Sequence, residues 1–413
     1  MKGRVRWQAL GPGLLYAGAA VGVSHVVQST RAGALYGFAL LLFVLFVNAV
    51  KYPFFEFASR YTAHTGEHLL QAYRKQGKWV LPLFLLMSAL TMFPILAAIS
   101  AVFSGIMGQV TVQLGFEKVL NPVFMSALAL ALCVLILIPG RYNWLDRTMK
   151  AIMLLLSTTT LLAVVVALCN VDSVIRSAAG QFSWDRPGWL FLIAFAGWMP
   201  TPIDASAWQS LWIHAKQQNQ RLTPAELSFD FKLGYFATTL LAVLFLMLGA
   251  LVLYPGATEL PVGGAAFAGW FMQLYAQLLG GWAWPIVAVS VLTTMFSTLL
   301  TVLDAYPRVL VAGFVQYRSF PEPKQSKRLY WWLVLLLAFG ALIVLQFFGS
   351  NMLALVDFST TMSFLAAPLL AWWNLQLLKT LPSAAQPSLF MLWWARLGVG
   401  LLLGFALVFL WVS

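Results

Sequence analysis

Apolar residues run through this chain in long continuous blocks separated by short polar stretches. A membrane-crossing helix needs about 20 apolar residues. Eleven blocks meet that length, near 9–34, 36–62, 79–112, 120–139, 146–170, 187–215, 229–254, 282–310, 329–348, 352–378 and 390–411. The stretch 263–279 is amphipathic and is expected to pack as an outer loop helix. A transmembrane β-barrel would alternate apolar and polar residues over short segments, and these blocks do not. Two blocks are interrupted. The first contains Gly18, Gly22 and Ser24, and the sixth contains Gly197, Pro200 and Pro202. Proline removes a backbone donor and glycine permits unwinding, so both blocks predict broken helices. Unwound backbone at membrane depth is tolerated where it is buried or lines a cavity. Breaks five spans apart predict two inverted repeats, about 9–170 and 187–378, with a peripheral helix at 390–411, all in one domain spanning 1–413. The binding site is then expected at the midplane, between the breaks.

Composition agrees. Hydrophobic residues make up 61% of the 413 and charged residues 9%, where a soluble domain carries about 25% charged. This excludes a soluble enzyme and the fibrous, disordered and disulfide-scaffold classes, and leaves an all-α integral membrane protein in a lipid bilayer. Cys133 and Cys169 both lie in apolar blocks and read as small buried residues. The N-terminus has the charge pattern of a signal peptide but reads as a retained first helix.

The net charge is +12, and topology explains it better than nucleic acid does. With the N-terminus inside, 20 of the 25 basic residues fall on the inner side, among them Lys2, Arg4, Arg6, Arg60, Arg141, Arg147, Lys150 and Arg318. Lys118, Arg176 and Arg186 fall outside, Arg31 lies near the outer end of the first span, and Lys51 lies within a span. This bias predicts an odd number of helices in a bacterial-type inner membrane, N-terminus cytoplasmic and C-terminus outside. No phosphate-binding loop, nucleophile elbow, catalytic carboxylate pair or zinc motif is present, so neither an enzyme nor a resident cofactor is expected.

In order and spacing, several segments resemble the NRAMP family of proton-coupled divalent-metal transporters. GPGLLYAGAA is similar to that family's opening and RAGALYGF to the end of its first helix. FVNAVKYPFFEFASRYTAHTGEHLL resembles its second helix, Leu145-Asp146-Arg147 the start of its fifth, and STLLT part of its eighth. Ala196, Met199 and Pro200 match the A-x-x-M-P of its sixth. The resemblance implies a LeuT-type 5+5 inverted repeat with discontinuous helices 1 and 6, plus an eleventh helix, working by alternating access. It also implies a metal held between the broken helices by an Asp, an Asn, a Met sulfur and a carbonyl. The chain departs from that pattern. The family's D-P-G-N reads Gly22-Val23-Ser24-His25, its His after M-P is Thr201, its helix-ten glutamine is Thr361, and helix three has no acid.

The residues that remain define the candidates. Met199 is a soft ligand that favours transition metals. With His25 and the carbonyl of Ala196 it forms the candidate metal set, which Gly22, Thr201 or Asp204 would complete. His25 has three open roles: metal ligand, proton acceptor, or donor to an organic substrate. Intramembrane charges are costly and mark function. Lys51, Glu56, Asp304 and Asp357 are therefore coupling or gating candidates, and Lys51 is expected to pair with an acid. A divalent metal is the first substrate class. A small organic solute such as an amino acid, held at half-helix ends, is the second, with a hard cation such as Mg²⁺ beside it.

Overall fold

The computed structural model describes residues 10–116, 121–138, 142–169, 180–254, 261–317, 323–348 and 351–412. The readings that rest on Lys2, Arg4, Arg6, Lys118, Arg141, Arg176 and Arg318, and on the side chains of Leu145, Asp146, Arg147 and Lys150, lie outside the described residues.

The chain is helical throughout the described residues. The first span is α1 (Pro12–Ala20), a π-helical turn (Ser24–Ser29) and α2 (Thr30–Tyr36). Then follow α3 (Leu41–Thr65), the short α4 (Leu69–Gln76), α5 (Val80–Gln113), α6 (Pro122–Leu137) and α7 (Tyr142–Cys169). The sixth span divides into α8 (Arg186–Trp198) and α9 (Ala205–Asn219). The rest are α10 (Pro224–Val252), α11 (Gly264–Leu279), α12 (Ala283–Val315), α13 (Pro323–Phe348), α14 (Met352–Gln376) and α15 (Leu389–Val412). Local sequence sets the starts. Asn121, Asp185 and Thr223 cap α6, α8 and α10 through their side chains, each followed by proline in the first turn.

Among the described residues, seven helices are long and apolar enough to cross a membrane, and two further apolar helices are shorter. The two broken spans explain much of the difference from eleven uniform blocks: each crosses as two short halves. Leu42, Phe347 and Trp411 are 77%, 85% and 85% exposed, a surface that suits lipid and not water. The expected buried place of Cys133 holds, but Cys169 at the end of α7 is exposed. An apolar run reports membrane depth, not which face of the helix meets protein.

α5 runs through the centre against α11, α12, α13 and α14, while α1 and α2 both pack along α10. That last seam is made by glycine. A Cβ on Gly13 would lie 2.0 Å from the Asp230 carbonyl oxygen, and one on Gly234 2.1 Å from that of Gly13. Further along, Gly33 and Gly249 stand in the same relation to Leu246 and Thr30, at 2.0 and 2.2 Å. Small residues let membrane helices approach at backbone distance.

Candidate functional site

Both breaks fall where sequence places them. α1 ends at Ala20, Val21 is extended (φ −79°, ψ 92°), and helical bonding restarts when the Gly22 carbonyl accepts from the N–H groups of His25 and Val26. α8 ends at Trp198, Met199 is extended (φ −94°, ψ 118°), and α9 begins at Ala205. Pro200 and Pro202 have no N–H to continue the ladder, so the last carbonyls of α8 lack their helical partners. Gly197 lets this end of α8 rest on α14, where a Cβ would lie 2.0 Å from the Thr360 carbonyl oxygen.

The freed carbonyls are taken by a lysine. Lys51, fully buried on α3, donates from Nζ to the carbonyls of Ala196 (2.5 Å), Gly197 (2.9 Å) and Thr201 (3.4 Å). The expected Lys51–acid pair is therefore not formed. The C-terminal end of a helix carries partial negative charge, and here it does the work assigned to a carboxylate. Three of the acids are engaged elsewhere, and Asp204 is held by one oxygen only, its Oδ1 lacking a hydrogen-bond partner among the described residues. Glu56 pairs with Arg60 at 2.5 Å, and Asp304 with Arg308 at 2.5 Å and with the Tyr330 hydroxyl. Asp357 takes Arg31 through both carboxylate oxygens at 2.7 and 3.2 Å, and also accepts from Gln28 at 3.0 Å. Asp204 accepts from Tyr306 at 2.9 Å.

Between the two breaks lies a cavity of about 30 Å³, lined in part by Gly22, Ser24, Trp198, Thr201, Trp208 and Thr298. No ionisable side chain lines it. The structure thus brings Gly22 and Thr201 to one cavity, with the carbonyl cluster beside Thr201. Met199 is buried at the break.

Three other candidates lie apart. The His25 ring is buried against α10, with Nε2 3.0 Å from the Thr238 carbonyl and Nδ1 2.7 Å from Ser24 Oγ. A carbonyl only accepts, so Nε2 carries a hydrogen and is closed to a metal, while Nδ1 faces the Ser24 hydroxyl, which also donates to the Ala20 carbonyl at 2.8 Å. Asp204 faces a separate gap lined by Ser88, Thr91 and Ser363. Thr361 is half-buried and does not line the cavity; the residues of α14 that meet the end of α8 include Thr360, through its carbonyl, Phe364, and Ser363, which accepts from Trp198 Nε1 at 2.9 Å. Among the described residues, no group of three or more His, Cys, Asp or Glu is placed to hold a metal ion.

Sequence reasoning missed two polar ties. Arg31, in the second half of the broken first span, is tied to Asp357, with its guanidinium 5.4 Å from the Phe191 ring. At the other end, Asp230 of α10 accepts from the Gly11 and Gly13 N–H groups at 2.9 and 2.6 Å, which caps α1 from a distance of over 200 residues in sequence. An arginine and an aspartate inside otherwise apolar spans were the available signals.

Two half-helix pairs meeting at a small cavity within a helical bundle define a membrane transporter of LeuT-type fold, not an enzyme. The family model for natural resistance-associated macrophage protein-like (Nramp) proteins matches residues 13–412, and the chain belongs to that family. An uncharacterized protein of Pasteurella multocida is 32% identical over 98% of this chain and 92% of its own length. A manganese transporter of Eremococcus coleocola has the same fold, with TM-score 0.73 and 15% identity over 96% of this chain and 85% of that one. MhsT, solved with L-phenylalanine, gives TM-score 0.68 and 18% identity over 98% and 100% of the two chains. Mhp1, a nucleobase-cation-symport-1 family transporter, gives 0.61 and 13% over 99% and 94%.

Proposed function

We propose that the protein is a secondary transporter that carries a metal cation by alternating access about the two helix breaks, with its N-terminus cytoplasmic. The observation that carries this reading is the convergence of three backbone carbonyls at the break of the sixth span on a single positive charge inside the membrane. Such a cluster is a cation site whichever cation fills it. Family membership and the shared fold of a manganese transporter support the same substrate class.

The proposed ligand set is the Ala196 carbonyl, the Met199 sulfur and oxygen from Thr201, with Gly22 leaving room beside them. His25 enters this set only if it gives up its bonds to Ser24 and Thr238. Without a carboxylate the set compensates poorly for dehydrating a divalent ion, so binding is expected to be weak and to favour soft ions through Met199.

A second reading has its own support. The cavity is lined by neutral and aromatic groups, and Lys51 already balances the carbonyls, which suits a small organic solute such as an amino acid. Mg²⁺ is the hard-cation variant of the first reading.

Proteoliposome uptake of Mn²⁺, Cd²⁺, Mg²⁺ and a panel of amino acids, with and without a pH gradient, separates these readings. Saturable Mn²⁺ and Cd²⁺ uptake, with Cd²⁺ lost preferentially in Met199→Ala, is the expected result. Amino-acid uptake with no metal uptake would transfer the conclusion to the second reading.

A further inference from the structure

We infer that Lys51 is a tethered cation: its ammonium is a covalently attached competitor for the carbonyl site that a free cation takes in its absence. The inference starts from the cation site of the proposed function, but its test requires no transport.

Three observations lead to it. The ammonium has three N–H donors and meets three carbonyls, so its hydrogen-bonding capacity is met without an anion. Among the described residues no acid lies within salt-bridge distance of it, although several acids sit in the same bundle. Finally, the side chain is fully buried and turns toward the break of another span. A lysine that merely snorkels would run its stem toward the headgroups, and a structural ion pair would have taken an acid.

The site it fills is shaped for a particular class of ion. Oxygens at 2.5, 2.9 and 3.4 Å suit an ammonium-sized monovalent cation. A small divalent ion asks for ligands at about 2.0–2.2 Å, so it can enter only after Lys51 has left and the carbonyls have drawn in. Lys51 is therefore a specificity-determining residue: it keeps the carbonyls satisfied and sets a threshold that a substrate cation must exceed.

The test is thermal unfolding of the purified full-length protein in chloride salts of equal ionic strength. Lys51→Ala leaves three carbonyls without a partner, and its midpoint is expected to fall by roughly 5 °C. Ammonium or methylammonium should restore it saturably, while choline should not. Wild type and Lys51→Arg should respond alike to all three salts. Lys51→Gln, neutral and one atom shorter, repeats the experiment if the alanine variant does not fold. The concentration of Mn²⁺ giving half-maximal protection should also fall at least tenfold in Lys51→Ala or Lys51→Gln, a gain that removing a merely structural lysine would not produce. Folded variants that show no ammonium-specific recovery, or a wild type that shows the same recovery, would overturn the inference. Ammonium recovery with no Mn²⁺ protection in any variant would sustain the tethered cation and reject the metal substrate.

Discussion

Gly22 is the residue at which the charge of the cavity can be reset. A Cβ there would meet Thr298 Oγ1 at 3.0 Å and Cγ2 at 3.1 Å, so a side chain needs Thr298 to yield. Gly22→Asp combined with Thr298→Ala is expected to raise Mn²⁺ affinity at least tenfold over Thr298→Ala alone, read by equilibrium binding, because it supplies the missing anionic ligand. His25 offers the opposite case. Its two ring bonds predict that His25→Ala lowers stability by about 1–3 kcal/mol and leaves the preference between Cd²⁺ and Mn²⁺ unchanged; a lost preference would return His25 to the ligand set. The sequence placed His25 just after a break but could not give its direction. The π-helical turn Ser24–Ser29 alters the register of an ordinary helix and goes with a ring aimed at α10. Outside the spans, burial and then the neighbouring His214 push the His68 imidazole down to about 4. A folded state that resists protonation loses stability as pH falls from about 6.5 toward 4, because the unfolded chain binds the proton first. The unfolding midpoint should therefore drop between pH 7 and pH 5, by less in His68→Gln.

At the scale of elements, each half of the first span is tied down by a carboxylate, α1 at its start and the second half near its middle. Asp230 caps α1 with two amide bonds, and Asp230→Asn keeps the shape but loses the charge that complements a helix N-terminus. The expected result is faster amide exchange in α1 with little change in α14. Equal change in both helices would mean a general loss of stability instead. This cap was not legible in the sequence, because its partners are backbone amides more than 200 positions away. The Lys51 contact was hidden for the same reason: carbonyls look alike in every sequence, and only the break of α8 leaves three of them without helical partners. The breaks themselves were legible, since proline and glycine act locally on the backbone.

At the scale of the molecule, the Arg31–Asp357 tie and the Asp230 cap act on the two halves of one discontinuous span, beside a cavity of about 30 Å³. Arg31→Ala should raise amide exchange in α2 and α14 while α1 stays protected, the mirror image of the Asp230→Asn result. The order of spans and the place of the two breaks followed from block length and the positions of proline and glycine. Which faces meet protein did not, as Cys169 illustrates, because lipid and protein interior are equally apolar. The glycine seam along α10 has one more consequence. Parting backbones that touch through Gly13, Gly234, Gly33 and Gly249 uncovers few methylene groups, so swinging either half-helix should carry a small heat-capacity change. The logarithm of the transport rate should then follow a nearly straight line against inverse temperature, even though closure of most protein interfaces bends it.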